Sequence, residues 1–75
     1  MILGPKMMEY LAAAAKVDRK RGQIFSLDDV NHGLQWESVE CDRIAARLEK
    51  EGLLNRLPNG EAILTTAGMK LLEES

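Results

Sequence analysis

Two arginines and a lysine at helical spacing are the side chains of this 75-residue chain best suited to binding chemistry. Arg43 and Arg47 are four residues apart and Lys50 follows three residues later, so one side of an α-helix would carry all three. A guanidinium group can donate two parallel hydrogen bonds to a guanine edge or to a phosphate, and a lysine ammonium suits phosphate. These side chains indicate recognition of a nucleic acid.

The same arginines have a second explanation, as paired charges on a solvated surface. Glu40 precedes Arg43 by three residues and Glu51 follows Arg47 by four, and side chains at these spacings pair on a helix. Glu40 and Asp42 would also repel phosphate, although Asp42 could instead accept a hydrogen bond from a cytosine amino group. The sequence leaves both interpretations open.

Residues for catalysis or metal binding are scarce. One histidine and one cysteine cannot build a catalytic triad or a three-ligand metal site without carboxylates, and Cys41 falls on a stripe that we expect to be buried. The sequence has no glycine-rich phosphate loop. We therefore expect no enzyme, no catalytic residue, no bound metal and no cofactor.

Composition places the chain among ordinary globular domains. We expect one domain over residues 1–75, because 45% of the residues are hydrophobic and 29% are charged. The single cysteine rules out an internal disulfide, and no segment approaches the ~20 apolar residues of a membrane span. We expect a cytoplasmic protein with no membrane contact.

The balance of charge limits how a nucleic acid could be bound. Ten basic residues face twelve acidic ones, which gives a net charge of −2. Proteins that bind nucleic acid usually carry a basic footprint. Binding would therefore require the positive side chains to gather on one face.

The first half of the chain predicts two helices and a short extended segment. Pro5 suits the first turn of helix 1, which we expect to end near residues 20–21. Residues 23–25 suit a short strand. Ser26 then caps a short helix 2, and Gly33 ends that helix in the left-handed conformation.

The second half predicts a longer helix, a hairpin and a final helix. We place helix 3 at 38–51 with Ser38 as its cap and Gly52 at its end. A hairpin over 54–64 turns at Pro-Asn-Gly, and Thr65 or its neighbour caps the last helix. The core-facing stripe of helix 3 follows the i, i+3, i+4, i+7 pattern and comprises Cys41, Ile44, Ala45 and Leu48.

Two segments around the hairpin carry a resemblance to a known family. RLEKEGLL (47–54) and LTTAGMKLL (64–72), with a two-stranded hairpin between them, resemble the winged helix-turn-helix DNA-binding domains of small bacterial and archaeal regulators. The resemblance covers roughly residues 7–73. It implies an α+β, mostly α fold, in which a three-helix core carries a small β-hairpin wing and a C-terminal helix.

The resemblance also implies a function. A small DNA-binding transcriptional regulator would place helix 38–51 in the major groove of double-stranded DNA and use the 54–64 hairpin as its wing. The alternative is a winged-helix module that binds another protein through Trp36 or helix 1 and has no DNA affinity. Trp36 is otherwise explained as a lid over the core.

Ten residues are the candidates for DNA contact under this resemblance. On helix 3, Val39 could touch a thymine methyl and Ala46 would allow close approach. On the hairpin, Arg56 would reach the minor groove or the backbone, unless the hairpin is merely solvated. The full set is Ser38, Val39, Asp42, Arg43, Ala46, Arg47, Lys50, Asn55, Arg56 and Asn59.

Helix 1 is apolar over more of its circumference than one side of a small core requires. Regulators of this family often form homodimers, because a two-fold protein matches a palindromic site. The predicted dimer interface comprises Met7, Met8, Leu11 and Ala15. Alternatively, the exposed alanines simply favour the helix.

Overall fold

The computed structural model describes residues 4–18 and 22–74 of the chain. Within these residues, four helices and three strands follow one another in the order α1 (Pro5–Val17), β1 (Phe25–Ser26), α2 (Leu27–Leu34), α3 (Ser38–Lys50), β2 (Leu54–Arg56), β3 (Glu61–Leu64) and α4 (Thr66–Glu74). The strands form one antiparallel sheet in the order β1-β3-β2. The predicted fold class is confirmed: an α+β, mostly α domain in which a helical core carries a β-hairpin and a C-terminal helix.

The core lies between α1, α3 and the inner face of the sheet. The four residues predicted as the inward stripe of α3 are all buried, which confirms that prediction. Removing a leucine-sized side chain from water stabilises a fold by about 1.5–3 kcal/mol, so this stripe fixes the orientation of α3. The residues that pack against it include Tyr10, Leu11 and Ala14 of α1, and Leu53, Leu54, Ala62 and Leu64 of the hairpin region.

Helix α1 is shorter than the sequence predicted. It begins at Pro5 as expected but ends at Val17, and the predicted end near residues 20–21 lies outside the described residues. The buried Asp18 follows the helix, and its carboxylate accepts hydrogen bonds from the backbone N–H groups of Gly22 at 2.8 Å and Gln23 at 3.3 Å. These bonds join the end of α1 to the segment that leads into β1.

Helix α2 ends two residues later than predicted. Gly33 is helical, and Gln35 is the residue in the left-handed conformation, with φ 59° and ψ 29°. The longer helix carries Leu34 onto the core, where its side chain is half-buried. The burial of Leu34 therefore overrides the helix-ending tendency of Gly33.

Two further boundaries differ from the predictions. Ser38 is the first residue of α3, and Glu37 occupies the cap position without a side-chain cap hydrogen bond. The first strand is formed by Phe25 and Ser26 rather than by residues 23–25, because Phe25 pairs with Ala62 of β3. Ser26 occupies the cap position of α2, as predicted, but makes no side-chain cap hydrogen bond.

The hairpin forms where the sequence places it. Its register pairs Leu54 with Leu64 and Arg56 with Ala62. Gly60 has φ +82° in the turn, and Gly52 has φ +76° just after α3, as the turn and helix-end signals predict. Thr65 caps α4, since its Oγ1 accepts a hydrogen bond from the backbone N–H of Gly68 at 3.0 Å.

Gly68 brings α4 against the segment that follows α3. Gly68 is buried, and a Cβ atom at this position would lie 3.2 Å from the carbonyl carbon of Leu53 and within contact distance of its oxygen. The hydroxyl of Thr65 donates to the carbonyl oxygen of Gly52 at 2.7 Å beside this contact. The glycine of the LTTAGMKLL segment therefore allows two stretches of backbone to touch.

Candidate nucleic-acid interface

The outward side of α3 is exposed along its whole length. Because the opposite stripe packs into the core, the remaining positions face solvent, and Val39 keeps 64% of its surface exposed. The helix residues predicted for DNA contact are all exposed: Ser38, Val39, Asp42, Arg43, Ala46, Arg47 and Lys50. We call Arg43, Arg47 and Lys50 the basic ridge.

The arginines of the basic ridge are not paired with their helical neighbours. Glu40 accepts a hydrogen bond from Lys6 of α1, with Nζ and Oε1 2.7 Å apart, instead of pairing with Arg43. Within residues 4–18 and 22–74, neither Arg43 nor Arg47 forms an ion pair or side-chain hydrogen bond. Their guanidinium groups are therefore available to an external acceptor.

One flank of α3 is held by the start of α1. The hydrogen bond and the charge of Lys6, together with the more distant charge of Arg43, hold the pKa of Glu40 below its usual value. The Lys6 Nζ also lies 5.7 Å from the centre of the Trp36 ring, within the range of a cation–π interaction. This contact ties the N-terminal end of α3 to α1.

Trp36 acts as a lid at this end of the helix. Its half-buried ring lies 6.2 Å from that of Tyr10, measured between centroids, with the planes inclined by 37°. The Tyr10 hydroxyl donates to Asn31 Oδ1 at 3.3 Å, and burial is the main cause that raises the pKa of Tyr10 to about 12. The arrangement agrees with the explanation of Trp36 as a lid over the core.

The other flank of α3 faces the hairpin across a shallow groove. Asp42 and Glu49 lie on the α3 side of this groove and Arg56 lies on the β2 side. Arg56 Nε is 3.2 Å from Glu49 Oε1, and the two side chains keep 33% and 40% of their surface exposed. We call this contact the hairpin ion pair.

The hairpin residues predicted for DNA contact are not equivalent. Asn55 and Asn59 are exposed, whereas Arg56 is half-buried. Since alternate residues of a strand share a face, Arg56 lies on the same face of β2 as the buried Leu54, which turns it towards α3. In this structure Arg56 contacts Glu49 rather than extending freely from the hairpin.

The predicted dimer interface on α1 does not form a single exposed surface. Met7 and Leu11 are buried in the core of the domain, so an interface built on them is wrong for this fold. Met8 and Ala15 are half-buried. The wide apolar surface of α1 is explained in part by contacts with α2, α3, α4 and β1, since α1 packs against each of these elements.

Two residues that shape this surface were not predicted as site residues. Lys6 is 34 positions from Glu40 in the sequence, so no local spacing connects them. Glu49 is seven positions after Asp42, two helical turns along the same flank, and this spacing could have identified an acidic flank beside the basic ridge. Acidic side chains therefore border the ridge on both sides.

Other chemistry has little support in the described part of the chain. No group of three or more histidine, cysteine, aspartate or glutamate side chains there could hold a metal ion. Cys41 is buried, and burial together with the charges of Asp42 and Glu40 raises the pKa of its thiol. No described helix is long and apolar enough to cross a membrane.

Comparison with known proteins gives one informative similarity. No protein-family model and no curated protein matches the chain. The fold is similar to that of Bordetella bronchiseptica BpsR, solved to explain how 6-hydroxynicotinic acid regulates the DNA binding of BpsR, with a TM-score of 0.75 and 24% sequence identity. The similarity covers 96% of this chain but 51% of BpsR, so the chain spans about half the length of that protein. It shows a shared fold.

Proposed function

We propose that this protein is a small DNA-binding regulator of transcription, a winged helix-turn-helix domain that inserts α3 into the major groove of double-stranded DNA. The observation that carries the proposal is the basic ridge. Arg43 and Arg47 are exposed side by side and form no ion pair or side-chain hydrogen bond among the described residues. The explanation of these arginines as paired surface charges consequently loses its support.

The basic ridge suits both parts of DNA recognition. Arginine can bind the guanine O6 and N7 atoms or a phosphate with two hydrogen bonds, and Lys50 adds a point charge for phosphate. Val39 and Ala46 lie among these charges as small apolar contacts for the groove floor. Ser38, Asp42, Asn55, Arg56 and Asn59 complete the proposed contact surface.

The fold similarity to BpsR supports this proposal, because BpsR binds DNA. The net charge of −2 limits the strength of the interaction. With three cations on the ridge, we expect the ridge to make about three phosphate contacts, which contribute about −3 to the slope of log affinity against log salt concentration.

The test is fluorescence anisotropy of labelled mixed-sequence duplex DNA, at low salt and then with rising salt. We expect binding that weakens steeply as salt is added, because neutralised phosphates release their counterions. Arg43→Ala combined with Arg47→Ala should lower the affinity at least ~10-fold and reduce the slope by about two. Unchanged affinity in this double variant would remove α3 from the interface.

A charge-matched control separates the ridge from net charge. Lys16→Ala with Lys70→Ala also removes two positive charges, from exposed positions on α1 and α4 that are not part of the proposed contact surface. We expect this variant to bind nearly as tightly as the natural chain. Equal losses in both double variants would indicate a nonspecific charge effect.

The second candidate function is a protein-interaction module of the same fold. The observation in its favour is the acidic border of the ridge, formed by Glu40, Asp42, Glu49 and Glu51. No binding of duplex DNA even at low salt would support this alternative. Exposed Val39 would then be the apolar centre of the contact surface.

The proposal includes a homodimer, one domain over residues 1–75 and a cytoplasmic location. A two-fold protein matches the symmetry of a palindromic DNA site. With Met7 and Leu11 buried, the proposed dimer contact is restricted to residues such as Met8 and Ala15. Sedimentation at tens of micromolar that shows only monomers would end the dimer part of the proposal.

A further inference from the structure

The hairpin ion pair lies at the edge of the proposed DNA-binding surface. Arg56 is the basic residue that the hairpin brings to the groove beside α3, and the groove also contains Asp42 and Glu49. The charged groups that line this groove are two carboxylates and one guanidinium. A DNA phosphate that approached Arg56 would therefore compete with the Glu49 carboxylate for the same guanidinium group.

We propose that Glu49 is a built-in competitor for DNA, which occupies Arg56 in the free protein and must be replaced by a phosphate when the hairpin engages the duplex. The inference rests on the proposed function and adds a regulated contact to the same site. It makes Glu49 a positioning residue that sets when Arg56 is available.

The geometry of the contact is that of an exchangeable pair. One hydrogen bond joins Nε to Oε1 at 3.2 Å, whereas the strongest arginine–carboxylate pairs are bidentate and shorter. Both side chains retain a third or more of their exposure, and such surface pairs contribute little to stability. A phosphate can therefore displace Glu49 without disturbing the core.

A short, well-packed connection between α3 and β2 holds Glu49 beside Arg56. Glu49 is in the last turn of α3, and Arg56 is seven residues later at the end of β2. The buried residues Leu48, Leu53 and Leu54 fix the connection between them. The carboxylate is thus presented to Arg56 by the fold and not by chance contact of two flexible chains.

The test combines three variants in the DNA-binding assay with salt titration. Glu49→Gln removes the charge and keeps the side-chain size, so Arg56 becomes available to phosphate. We expect affinity for duplex DNA to rise about three- to tenfold and the salt slope to steepen by about one contact. Arg56→Gln alone should lower the affinity, because it removes this phosphate contact. In the Glu49→Gln background it should reduce the gain to the size seen for Glu51→Gln.

Glu51→Gln is the matched control. It makes the same change of charge at the C-terminal end of the same helix, and Glu51 forms no ion pair within the part of the chain that the structure describes. We expect a smaller rise in affinity and no steeper salt slope. The Glu51→Gln gain should also persist when Arg56 is replaced by Gln, since it does not depend on Arg56.

The outcomes separate this inference from the proposed function. If the natural chain binds DNA but Glu49→Gln gains no more than Glu51→Gln, or if its gain survives Arg56→Gln, the competitor role is overturned and the proposed function stands. If neither the natural chain nor the Glu49→Gln variant binds duplex DNA at low salt, both the competitor role and the proposed function are refuted. A steeper slope that requires Arg56 supports the inference.

Discussion

The two ends of α3 are held to the rest of the domain by different kinds of contact. At the N-terminal end, side chains make the connection: Lys6 bonds to Glu40 and lies over the half-buried Trp36. At the C-terminal end, backbone contacts add to the exposed hairpin ion pair: Leu53 N–H donates to Leu48 O at 2.9 Å, and Gly68 lies against the Leu53 carbonyl group.

This difference indicates how each end tolerates change. Where a glycine lies directly against backbone, as Gly68 does, no flexible side chain can move aside. Any atom added to the glycine must therefore shift a helix or a turn. A side-chain contact near solvent can be replaced by water. We therefore expect substitutions at the C-terminal end to destabilise the domain most and those at the N-terminal end least.

The largest effect should come from Gly68→Ala, which tests the backbone contact directly. The new Cβ would collide with the carbonyl group of Leu53, and α4 would have to move away from the core. We expect the free energy of unfolding to fall by about 3 kcal/mol, the upper range for overpacking. Urea denaturation followed by circular dichroism measures the change.

Gly33→Ala is the matched control for this substitution. Gly33 is exposed and helical, and no atom lies within 4 Å of an added Cβ. We expect a stabilisation of about 0.5–1 kcal/mol, because alanine favours a helix interior. A similar loss at both glycines would contradict the steric role of Gly68.

An intermediate effect is expected at Tyr10, whose ring packs against Trp36 at the N-terminal end of α3. Tyr10→Phe removes the hydrogen bond to Asn31 and should lower the free energy of unfolding by about 1 kcal/mol. Urea denaturation at neutral pH measures this loss. No loss would mean that the 3.3 Å contact contributes nothing to stability.

The pH dependence of Tyr10 follows from its raised pKa. The folded state holds the phenol proton more tightly than the unfolded state, so this stability is present below pH 10.0 and is lost as pH rises towards about 12. The chain has one tyrosine, so tyrosinate absorbance reports it alone. We expect ionisation to occur well above pH 10.0, and an ordinary titration there would refute the buried environment.

The smallest effect should come from Glu40→Gln, which breaks the exposed pair with Lys6. The lowered pKa of Glu40 means that its contribution is present above the usual value of 4.5 and is lost as pH falls through the lowered one. We expect a slight loss of stability at neutral pH that disappears at low pH. Thermal unfolding of this variant and of Glu51→Gln, compared at both pH values, tests the difference between the two ends.

Local patterns predicted the framework of this fold and the exposed face of α3. The spacing of Cys41, Ile44 and Leu48 identified the buried stripe, and Pro58-Asn59-Gly60 identified the hairpin turn. Both signals depend on residues a few positions apart. The outward direction of Arg43 and Arg47 followed from the same helical period.

Contacts between distant elements could not be predicted in this way. Lys6 takes Glu40 away from Arg43, and this depends on how α1 crosses the start of α3. The left-handed residue moved from Gly33 to Gln35 because Leu34 gains burial, a tertiary effect that exceeds a local preference. The pairing of Arg43 with Glu40 that local spacing suggests therefore fails because of how α1 packs against α3.

The position of Trp36 has a practical consequence for spectroscopy. The chain contains one tryptophan, and its indole ring lies beside a lysine ammonium at the end of α3 that side chains connect to α1. Indole emission responds to nearby charge and to water. The natural chain therefore carries its own fluorophore at the adjustable end of α3, where a small tilt of the helix would change the emission spectrum without any added label.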